Sequence, residues 1–338
     1  MNESTPWLSV LIPTYNGEKY LPAALHSVYI QQDPNIECII VDDGSSDTTP
    51  KIINDYSSKL NIQWLRIPKT GNWVKNTNFA FTHAQGKYIC LLHQDDLWLE
   101  NRLPELKKII SRFPHIDFFL HAAIYINEAG QKLGNLDCPL AKYPQTLLPQ
   151  AMIEKLLIQN FIALPAPIFK RSLALAVGKL QEAFWYTADW DLWLKLARKT
   201  PALYYPKRLC AVRIHKKAQT STRTDQFQDI QTQLLFVFYY HYALLEEKKN
   251  TKKNILKAGL FSIELNLWCF KFFHKKTTPP WHLFLQFIFL GSFALRQYLC
   301  SSKIIQRLIA RRKLLTPLHL GIRNETNHEQ IATPKPAQ

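Results

Sequence analysis

Pairs of acidic residues follow three apolar segments of this chain. Carboxylates that meet at the end of an interior strand repel each other and resist desolvation unless a cation or ligand joins them there. The three pairs are Asp42 and Asp43, Asp95 and Asp96, and Asp189 and Asp191. The pattern therefore predicts a single crevice that binds a metal-bound diphosphate.

Alternating strand and helix patterns in the first 115 residues would position these acids. Strands are predicted at residues 7–13, 38–41, 62–67 and 88–92, and the continuous apolar run at 7–13 is typical of a strand covered on both faces. Helical spacing fills the segments between them, and the expected helix boundaries are Ser46 or Asp47, Asn72 and Gly86. The predicted fold is α/β, a Rossmann-like, mostly parallel sheet flanked by helices, with ligands beyond the carboxyl ends of the strands.

The composition is that of a folded protein. A length of 338 residues with 47% hydrophobic content excludes a disordered chain and allows one large domain with an appendage. Six cysteines are scattered without a CxxC pair, which predicts buried free thiols in a reducing compartment. The first residues lack a basic segment followed by an apolar core, so we expect no signal peptide and a cytoplasmic protein.

Four short motifs follow one another along the first two thirds of the chain. They are residues 9–16 (SVLIPTYN), 41–47 (VDDGSSD), 94–99 (QDDLWL) and 188–193 (ADWDLW). In order and spacing they resemble the motifs of family 2 glycosyltransferases with the GT-A fold, over roughly residues 7–225. One motif alone would be weak, because Asp-Asp-Gly-Ser is ordinary turn chemistry, but four in register are specific.

The first two motifs, by this resemblance, hold the base and ribose of a nucleotide-diphosphate sugar. Thr14 and Tyr15 would line the base pocket, and Asp43 would accept hydrogen bonds from a base edge. Two alternatives stay open: Tyr15 is a packed strand-end aromatic, or Asp42 and Asp43 cap the next helix. The implied binding set here is Pro13, Thr14, Tyr15, Asn16, Asp42 and Asp43.

The third motif resembles the Asp-x-Asp element that binds a divalent cation on the donor, but His93 stands at the first acidic position. The resemblance implies that Asp95 ligates Mn²⁺ or Mg²⁺ while phosphates and water fill other positions. His93 would contact ribose or phosphate, bind a softer metal such as Mn²⁺, or make a local hydrogen bond. Gln94 joins the donor-binding set, and Asp96 is interpreted as a supporting, helix-capping residue.

The fourth motif implies the catalytic base. Asp189 aligns with the acid that, in inverting members, takes the proton of the acceptor hydroxyl as its oxygen attacks the anomeric carbon. Family members usually carry Glu before this Asp, whereas this chain has Ala188. Asp191 is interpreted as a charge favoured by the helix macrodipole.

Two further segments resemble parts of the family's donor site. Lys75 and Asn78 fall where an Asn/Arg-rich helix start flanks the sugar nucleotide, and Arg213 and His215 fall in an Arg-x-His segment suited to phosphate oxygens. A solvated face is the alternative for both segments.

The last third of the chain carries most of the positive charge. Of the net charge of +16, residues 230–338 contribute 16 Lys and Arg against 5 acids. Their apolar, aromatic runs flanked by Lys and Arg suit in-plane attachment to an anionic membrane surface, rather than to nucleic acid. A helical bundle packed on the catalytic domain is the alternative. The predicted divisions are a catalytic domain at 1–229, a basic helical region at 230–323 and a disordered tail at 324–338.

Two functions follow from these observations. The first is an inverting, metal-dependent transferase that moves a sugar to a hydroxyl of a saccharide or lipid-linked acceptor, in cell-envelope polysaccharide or lipopolysaccharide synthesis at the inner membrane face. The alternative, favoured by His93 and Ala188, is a catalytically degenerate protein of the same fold that binds the sugar nucleotide or acts as a scaffold.

Overall fold

The chain is described by a computed structural model over residues 5–215, 226–275 and 281–315, with the side chains of 273–275 and 310–315 left out. Its centre is a ten-stranded mixed sheet in the order β3-β2-β1-β4-β9-β6-β10-β5, with β7 on β6 and β8 on β10. The strands are β1 Leu8–Thr14, β2 Ile36–Asp42, β3 Ile62–Arg66, β4 Tyr88–Leu91, β5 Leu97–Trp98, β6 Phe118–Ile126, β7 Lys132–Leu136, β8 Gln145–Leu147, β9 Ile168–Lys170 and β10 Ala202–Arg213.

Helices cover both faces of this sheet. Within residues 5–215 they are α1 Leu21–Tyr29, α2 Thr49–Ser57, α3 Trp73–His83, α4 Arg102–Arg112, α5 Pro149–Ile158, α6 Arg171–Ala176 and α7 Ala188–Lys199. They are followed by α8 Phe227–Ala243, α9 Lys249–Lys275, α10 Trp281–Phe289, α11 Ser292–Ser302 and α12 Ile304–Leu315.

Strand direction decides where the motifs end up. β1, β2, β3 and β4 are mutually parallel, and β6 and β10 are parallel to each other. β9 is antiparallel to both β4 and β6, so all six parallel strands point the same way. Their carboxyl ends therefore share one edge of the sheet, and the amino end of β9 lies at that same edge.

Alternating side chains of the buried strands feed two cores. On β1, Val10 and Ile12 pack with α1, α2 and α4, whereas Leu11 faces α3, α5 and α7 on the other side. Such two-sided burial explains the unbroken apolar runs in the sequence. The predicted α/β fold with a parallel, helix-covered sheet is confirmed.

Of the three predicted helix boundaries, only the start of α3 at Asn72 agrees with the structure. The Asn72 side chain accepts hydrogen bonds from the amides of Val74 and Lys75 and caps α3. Gly86 is not a helix stop, because α3 ends at His83. A Cβ at Gly86 would lie 2.5 Å from the Ser9 nitrogen, so glycine is needed for close approach to β1.

At the second predicted boundary, the α2 cap residue is Thr48 rather than Ser46 or Asp47. Asp47 still supports the helix start, since its Oδ1 accepts a hydrogen bond from the Thr49 amide at 3.0 Å.

The predicted domain boundary at residue 229 falls inside α8 and does not divide the core. Ile230 and Phe238 on α8 and Ile255 on α9 are fully buried in the same apolar cluster as Trp193 of α7. Helices α8 and α9 therefore pack on the helices of residues 5–215, as expected if the C-terminal region is a helical bundle. The tail at 324–338 lies outside the described residues.

None of the described helices is by itself both long and apolar enough to cross a bilayer. α10 and α11 together pass that test in length and composition but are bent by 112° at the break between them. The six cysteines are free thiols, five buried and Cys300 exposed.

Candidate active site

Gln94 fastens the loop after β4 to the end of β1. Its Oε1 accepts hydrogen bonds from the Thr14 hydroxyl at 2.5 Å and the Tyr15 amide at 2.9 Å, and its Nε2 donates to the Tyr15 carbonyl at 3.2 Å. A Cβ at Gly17 would come within 2.7 Å of both Gln94 and Thr14. The first and third motifs therefore form one contiguous wall.

Asn16 and Asp42 shape the neighbouring turn. Asn16 adopts a positive φ of 46°, its amide donates to the Ser45 hydroxyl at 2.9 Å, and its Oδ1 accepts from the Ser46 amide at 2.9 Å. Asp42 is fully buried, and its Oδ1 accepts from the Ser45 amide at 2.9 Å. Asp42 thus braces the turn, although it does not cap α2.

Asp43 holds the loop before α3. Its two carboxylate oxygens accept hydrogen bonds from the amides of Thr70 at 2.6 Å and Gly71 at 2.8 Å. Beside it the Lys69 ammonium lies 4.3 Å from the centre of the Tyr15 ring and donates to the Tyr15 hydroxyl at 2.8 Å. Tyr15 is partly exposed, so its ring is available for stacking.

His215 pairs with Asp95 across the site. His215 Nε2 donates to Asp95 Oδ2 at 2.8 Å, which joins the end of β10 to the loop after β4. Burial alone raises the pKa of Asp95, but this hydrogen bond and the nearby imidazoles outweigh it and leave the pKa below its usual value. Asp95 is therefore ionised at neutral pH.

His93 lies beside this pair with its ring against Trp73, the centroids 4.7 Å apart. Burial lowers the pKa of His93, so its ring is neutral near pH 7. Among the described residues its buried Nε2 has no hydrogen-bond partner. A buried polar atom of this kind is costly unless something binds it.

Asp96 and Arg213 have supporting roles. Asp96 is buried and accepts a hydrogen bond from the Arg213 amide at 3.0 Å, while burial and the charge of Asp95 raise its pKa well above the usual value. The buried Arg213 guanidinium donates to the carbonyls of Asp95, Asn127 and Glu128. Arg213 therefore holds loops together through its guanidinium, and a contact with a donor phosphate stays a prediction.

Asn78 is likewise used inside the protein. Its Nδ2 donates to the Leu180 carbonyl at 2.9 Å and to Glu182 at 3.1 Å, and its Oδ1 accepts from the Leu180 amide at 3.2 Å. Because these contacts satisfy a buried amide, the expectation that Asn78 contacts the donor is corrected to a loop-holding role. Lys75 is exposed on the same helix.

Contacts between α3 and the loop before α7 bring the fourth motif to the same edge. Trp73, packed on His93, donates from Nε1 to the Trp185 carbonyl at 2.8 Å, and Asn72 donates to the Glu182 carbonyl at 3.1 Å. Asp189 follows on the first turn of α7.

Asp189 is held at both carboxylate oxygens. Oδ1 accepts from the Trp190 amide at 2.7 Å and Oδ2 from the Asn160 side chain at 3.0 Å. Asn160 belongs to the segment that leads into β9, whose amino end lies at the site edge of the sheet. Burial raises the pKa of Asp189 to about 6 despite these hydrogen bonds.

Asp191 points away toward α8. It pairs with Lys195 at 2.8 Å and accepts a hydrogen bond from His241 at 3.0 Å. Burial opposes the charge of Asp191, but these two partners lower its pKa below the usual value. Asp191 therefore joins α7 to α8, a contact beyond the helix-macrodipole role that the sequence predicted.

No three His, Cys, Asp or Glu side chains within residues 5–215, 226–275 and 281–315 are grouped to hold a metal ion by themselves. The loop after β4 offers the imidazole of His93 and the carboxylate of Asp95, since Asp96 already accepts a hydrogen bond from the Arg213 amide. A cation at this point would need ligands from a substrate.

Several site residues were missed in the sequence. Lys69 and Asn160 lie outside the four motifs, and only their contacts with Tyr15 and Asp189 reveal them. Trp73 carried a signal that could have been used, since it is an aromatic in the first turn of the helix at the donor site.

The fold has known counterparts among solved structures. A structure of Staphylococcus aureus TarS residues 1–349 in complex with UDP-GlcNAc superposes with a TM-score of 0.60 at 21% identity, covering 90% of this chain and 87% of that one. A mannosyltransferase from Pyrobaculum calidifontis in complex with GDP-Man and Mn²⁺ gives a TM-score of 0.53 at 17% identity, covering 92% and 88%. The fold is therefore that of the GT-A glycosyltransferases.

Sequence comparisons agree with this class. The model of glycosyl transferase family 2 matches residues 9–155. Uncharacterized glycosyltransferases of Rickettsia typhi and Rickettsia prowazekii are 25% and 27% identical over 238 and 233 residues, each covering 68% of this chain and 70% of the relative. The resemblance to family 2 glycosyltransferases is thus confirmed over residues 9–155, which contain three of the four motifs, while the fourth, at 188–193, lies beyond the matched residues.

Proposed function

We propose that this protein is an inverting transferase that moves a sugar from a nucleotide-diphosphate donor to a hydroxyl of a saccharide or lipid-linked acceptor. The observation that carries the proposal is Asp189, a carboxylate held by two hydrogen bonds with its pKa raised to about 6. Such a group is ionised at neutral pH and still binds a proton readily, as a general base requires. Cell-envelope polysaccharide or lipopolysaccharide synthesis is the pathway class proposed.

The donor would lie along the wall formed by the first three motifs. The Tyr15 ring, backed by the Lys69 ammonium, offers a stacking surface for a base. Each Asp43 oxygen accepts one backbone hydrogen bond and retains a second lone pair for a base edge. Asn16 and Ser45 hold the turn that would face the ribose.

The residues of the third motif fit a hard divalent cation whose other ligands come from the donor phosphates. Asp95 would hold Mn²⁺ or Mg²⁺. The Nε2 of His93, which has no hydrogen-bond partner within the part of the chain that the structure describes, would either join it or donate to a phosphate oxygen. When bound, the cation would neutralise charge on the departing diphosphate. His215 keeps the Asp95 carboxylate oriented and ionised.

Asp189 would remove the proton of the acceptor hydroxyl while that oxygen attacks the anomeric carbon from the side opposite the diphosphate. A single displacement of this kind inverts the configuration at that carbon. Asn160 and the Trp190 amide hold the carboxylate in one orientation. This lowers the entropic cost of reaching the reactive geometry.

Donor hydrolysis or transfer, measured with a panel of UDP- and GDP-sugars and Mn²⁺, tests the proposal. We expect Asp189→Asn to retain donor binding and to lose turnover by at least about a hundredfold. Asp191→Asn is the matched control, since the same change two residues further along α7 leaves the site untouched. Equal turnover by Asp189→Asn and the wild type would refute the base assignment.

A second candidate is a protein of this fold that binds the sugar nucleotide without catalysis. It is favoured by His93 at the first acidic position and by the lack, among the described residues, of a three-residue metal cluster. This candidate predicts donor binding with no turnover by the wild type and no loss of binding on changing Asp189.

The proposed location is the cytoplasmic face of a membrane, where a lipid-linked acceptor would be presented. Support comes from the basic charge of the C-terminal helices.

A further inference from the structure

Helix α10 turns its apolar stripe outward. Trp281, Phe284, Leu285 and Ile288 have the spacing i, i+3, i+4, i+7 of one helix face. Trp281 is 79% exposed, and each of the other three is at least 48% exposed. Surface helices of globular proteins normally turn such a stripe to the core. These four residues are called the α10 face below.

The apolar surface continues past the bend after α10. Gly291, with a φ of +80°, makes the turn, and Phe293 on the first turn of α11 is 72% exposed. Leu299 on α11 and Ile305 on α12 are also exposed. Contiguous apolar surface of this extent marks an interaction site rather than scattered exposure.

The inner side of α10 is anchored in the protein. Leu283 and Leu290 are buried in a cluster with Phe261 of α9 and Tyr298 of α11. Gln286 donates to Glu264 of α9 at 2.8 Å. The α10 face is therefore outward in a packed helix, because its opposite side already makes the core contacts.

The stretch of chain that carries this surface is strongly basic, although Glu264 of α9 contacts Gln286 and His282 on α10. Residues 265–324 contain ten Lys and Arg and no Asp or Glu. Arg296, on the helix that carries Phe293, is exposed. An apolar face bordered by cations complements a surface of anionic headgroups over acyl chains, since the cations meet phosphate while the apolar side chains enter the hydrocarbon.

We propose that the α10 face and Phe293 dock in the plane of an anionic phospholipid membrane. At about 1.5 Å per residue, α10 is about 14 Å long, well short of the ~30 Å hydrocarbon core, so it lies in the interface. A second copy of this chain is disfavoured as the occupant, because the same excess of Lys and Arg over acidic residues would face itself. The proposal does not depend on the transferase reaction.

Sedimentation of the full-length protein with vesicles tests the docking. The vesicles are pure phosphatidylcholine or phosphatidylcholine with phosphatidylglycerol, at low and high salt. We expect binding to the anionic vesicles that weakens with salt. The triple variant Trp281→Ser, Phe284→Ser and Ile288→Ser should bind at least about tenfold more weakly, since three large apolar side chains no longer leave water. Arg296→Glu should weaken binding only to the anionic vesicles.

A matched control distinguishes this face from exposed aromatics in general. Phe236, Tyr239 and Tyr240 form an exposed aromatic group on α8, outside the acid-free stretch. Their change to serine should leave vesicle binding unchanged. Circular dichroism melts check that both triple variants fold, and exposed positions should not lower the melting temperature by much.

Three results would overturn the proposal. One is wild-type protein that stays in the supernatant with anionic vesicles. Another is an α10 variant that sediments as well as the wild type, or an α8 variant that alone loses binding. The third is a concentration-dependent dimer of the wild type, seen by analytical ultracentrifugation, that is lost in the α10 variant, together with no vesicle binding by either protein. That result would assign the α10 face to a second copy of the chain.

Discussion

Asn160 donates its side-chain amide to Asp189 at 3.0 Å, and Asn160 is itself held by the C-terminal helices. Arg307 of α12 donates to the Asn160 carbonyl at 2.6 Å, and Ser262 of α9 donates to the side chain of the preceding residue, Gln159, at 2.9 Å. The basic C-terminal region thus supports the candidate base, Asp189, through Asn160.

Removal of the Asn160 amide should raise the pKa of Asp189 further, because the hydrogen bond from Asn160 opposes the effect of burial. We expect Asn160→Ala to reduce kcat about tenfold near pH 7 and to shift the acid limb of the pH–rate profile upward. The pH–rate profile distinguishes a role of Asn160 in holding Asp189 from a general loss of structure. Loss of structure would lower the rate at every pH without moving the acid limb. An unshifted limb would contradict the assignment.

The pH dependence of turnover should report Asp189. Because a base acts only when ionised, kcat/KM should rise with pH through about 6 and level off above it. In Asp189→Asn any residual rate should lose this dependence. A profile that is flat between pH 5 and 8 in the wild type would argue against Asp189.

The stability of the folded protein should fall as pH rises because of Asp189, whereas kcat/KM should rise. Its pKa is raised from 3.8 to about 6 in the folded protein, so folding favours the protonated form. Stability is therefore lost as pH rises between these values, and the ionised carboxylate costs up to about 3 kcal/mol at pH 7 and above. We expect Asp189→Asn to melt at a higher temperature than the wild type at pH 8 and the difference to shrink toward pH 5. An equal difference at both pH values would contradict this linkage.

The C-terminal helices should be needed for the stability of the catalytic part. Phe238 on α8 is fully buried, whereas Phe236 on the same helix is 56% exposed. Phe238→Ala should destabilise the protein by roughly 3–5 kcal/mol in urea unfolding, with Phe236→Ala as a near-neutral control. Similar effects of the two changes would mean that α8 is not part of the core.

Lys69 should contribute to nucleotide binding through Tyr15. We expect Lys69→Met to weaken binding of UDP or GDP several-fold by calorimetry, because the ammonium holds the Tyr15 ring in place for stacking on the base. Lys59→Met is the control, since its ammonium lies over the Tyr56 ring at 5.1 Å, outside the site. Equal affinities in the two variants would exclude this role.

Much of the fold was predictable because local patterns are strong here. The local patterns predicted β1 to β4, and β1, β2 and β4, which are buried on both faces, leave few alternatives. The antiparallel insertion of β9 between β4 and β6 was not predictable, since a three-residue strand has no periodicity to detect. That strand brings Asn160 to the site.

What the sequence by itself determined is which loops carry the chemistry, because the polar residues at the ends of parallel strands must meet at one edge. Only the tertiary structure decided which of those side chains remain for a substrate. Arg213 and Asn78 have the right type for donor contacts, yet buried carbonyl and amide groups of neighbouring loops require them as partners. These buried groups need hydrogen-bond partners only after distant segments of the chain pack together. No local sequence pattern can therefore predict which side chains they will use.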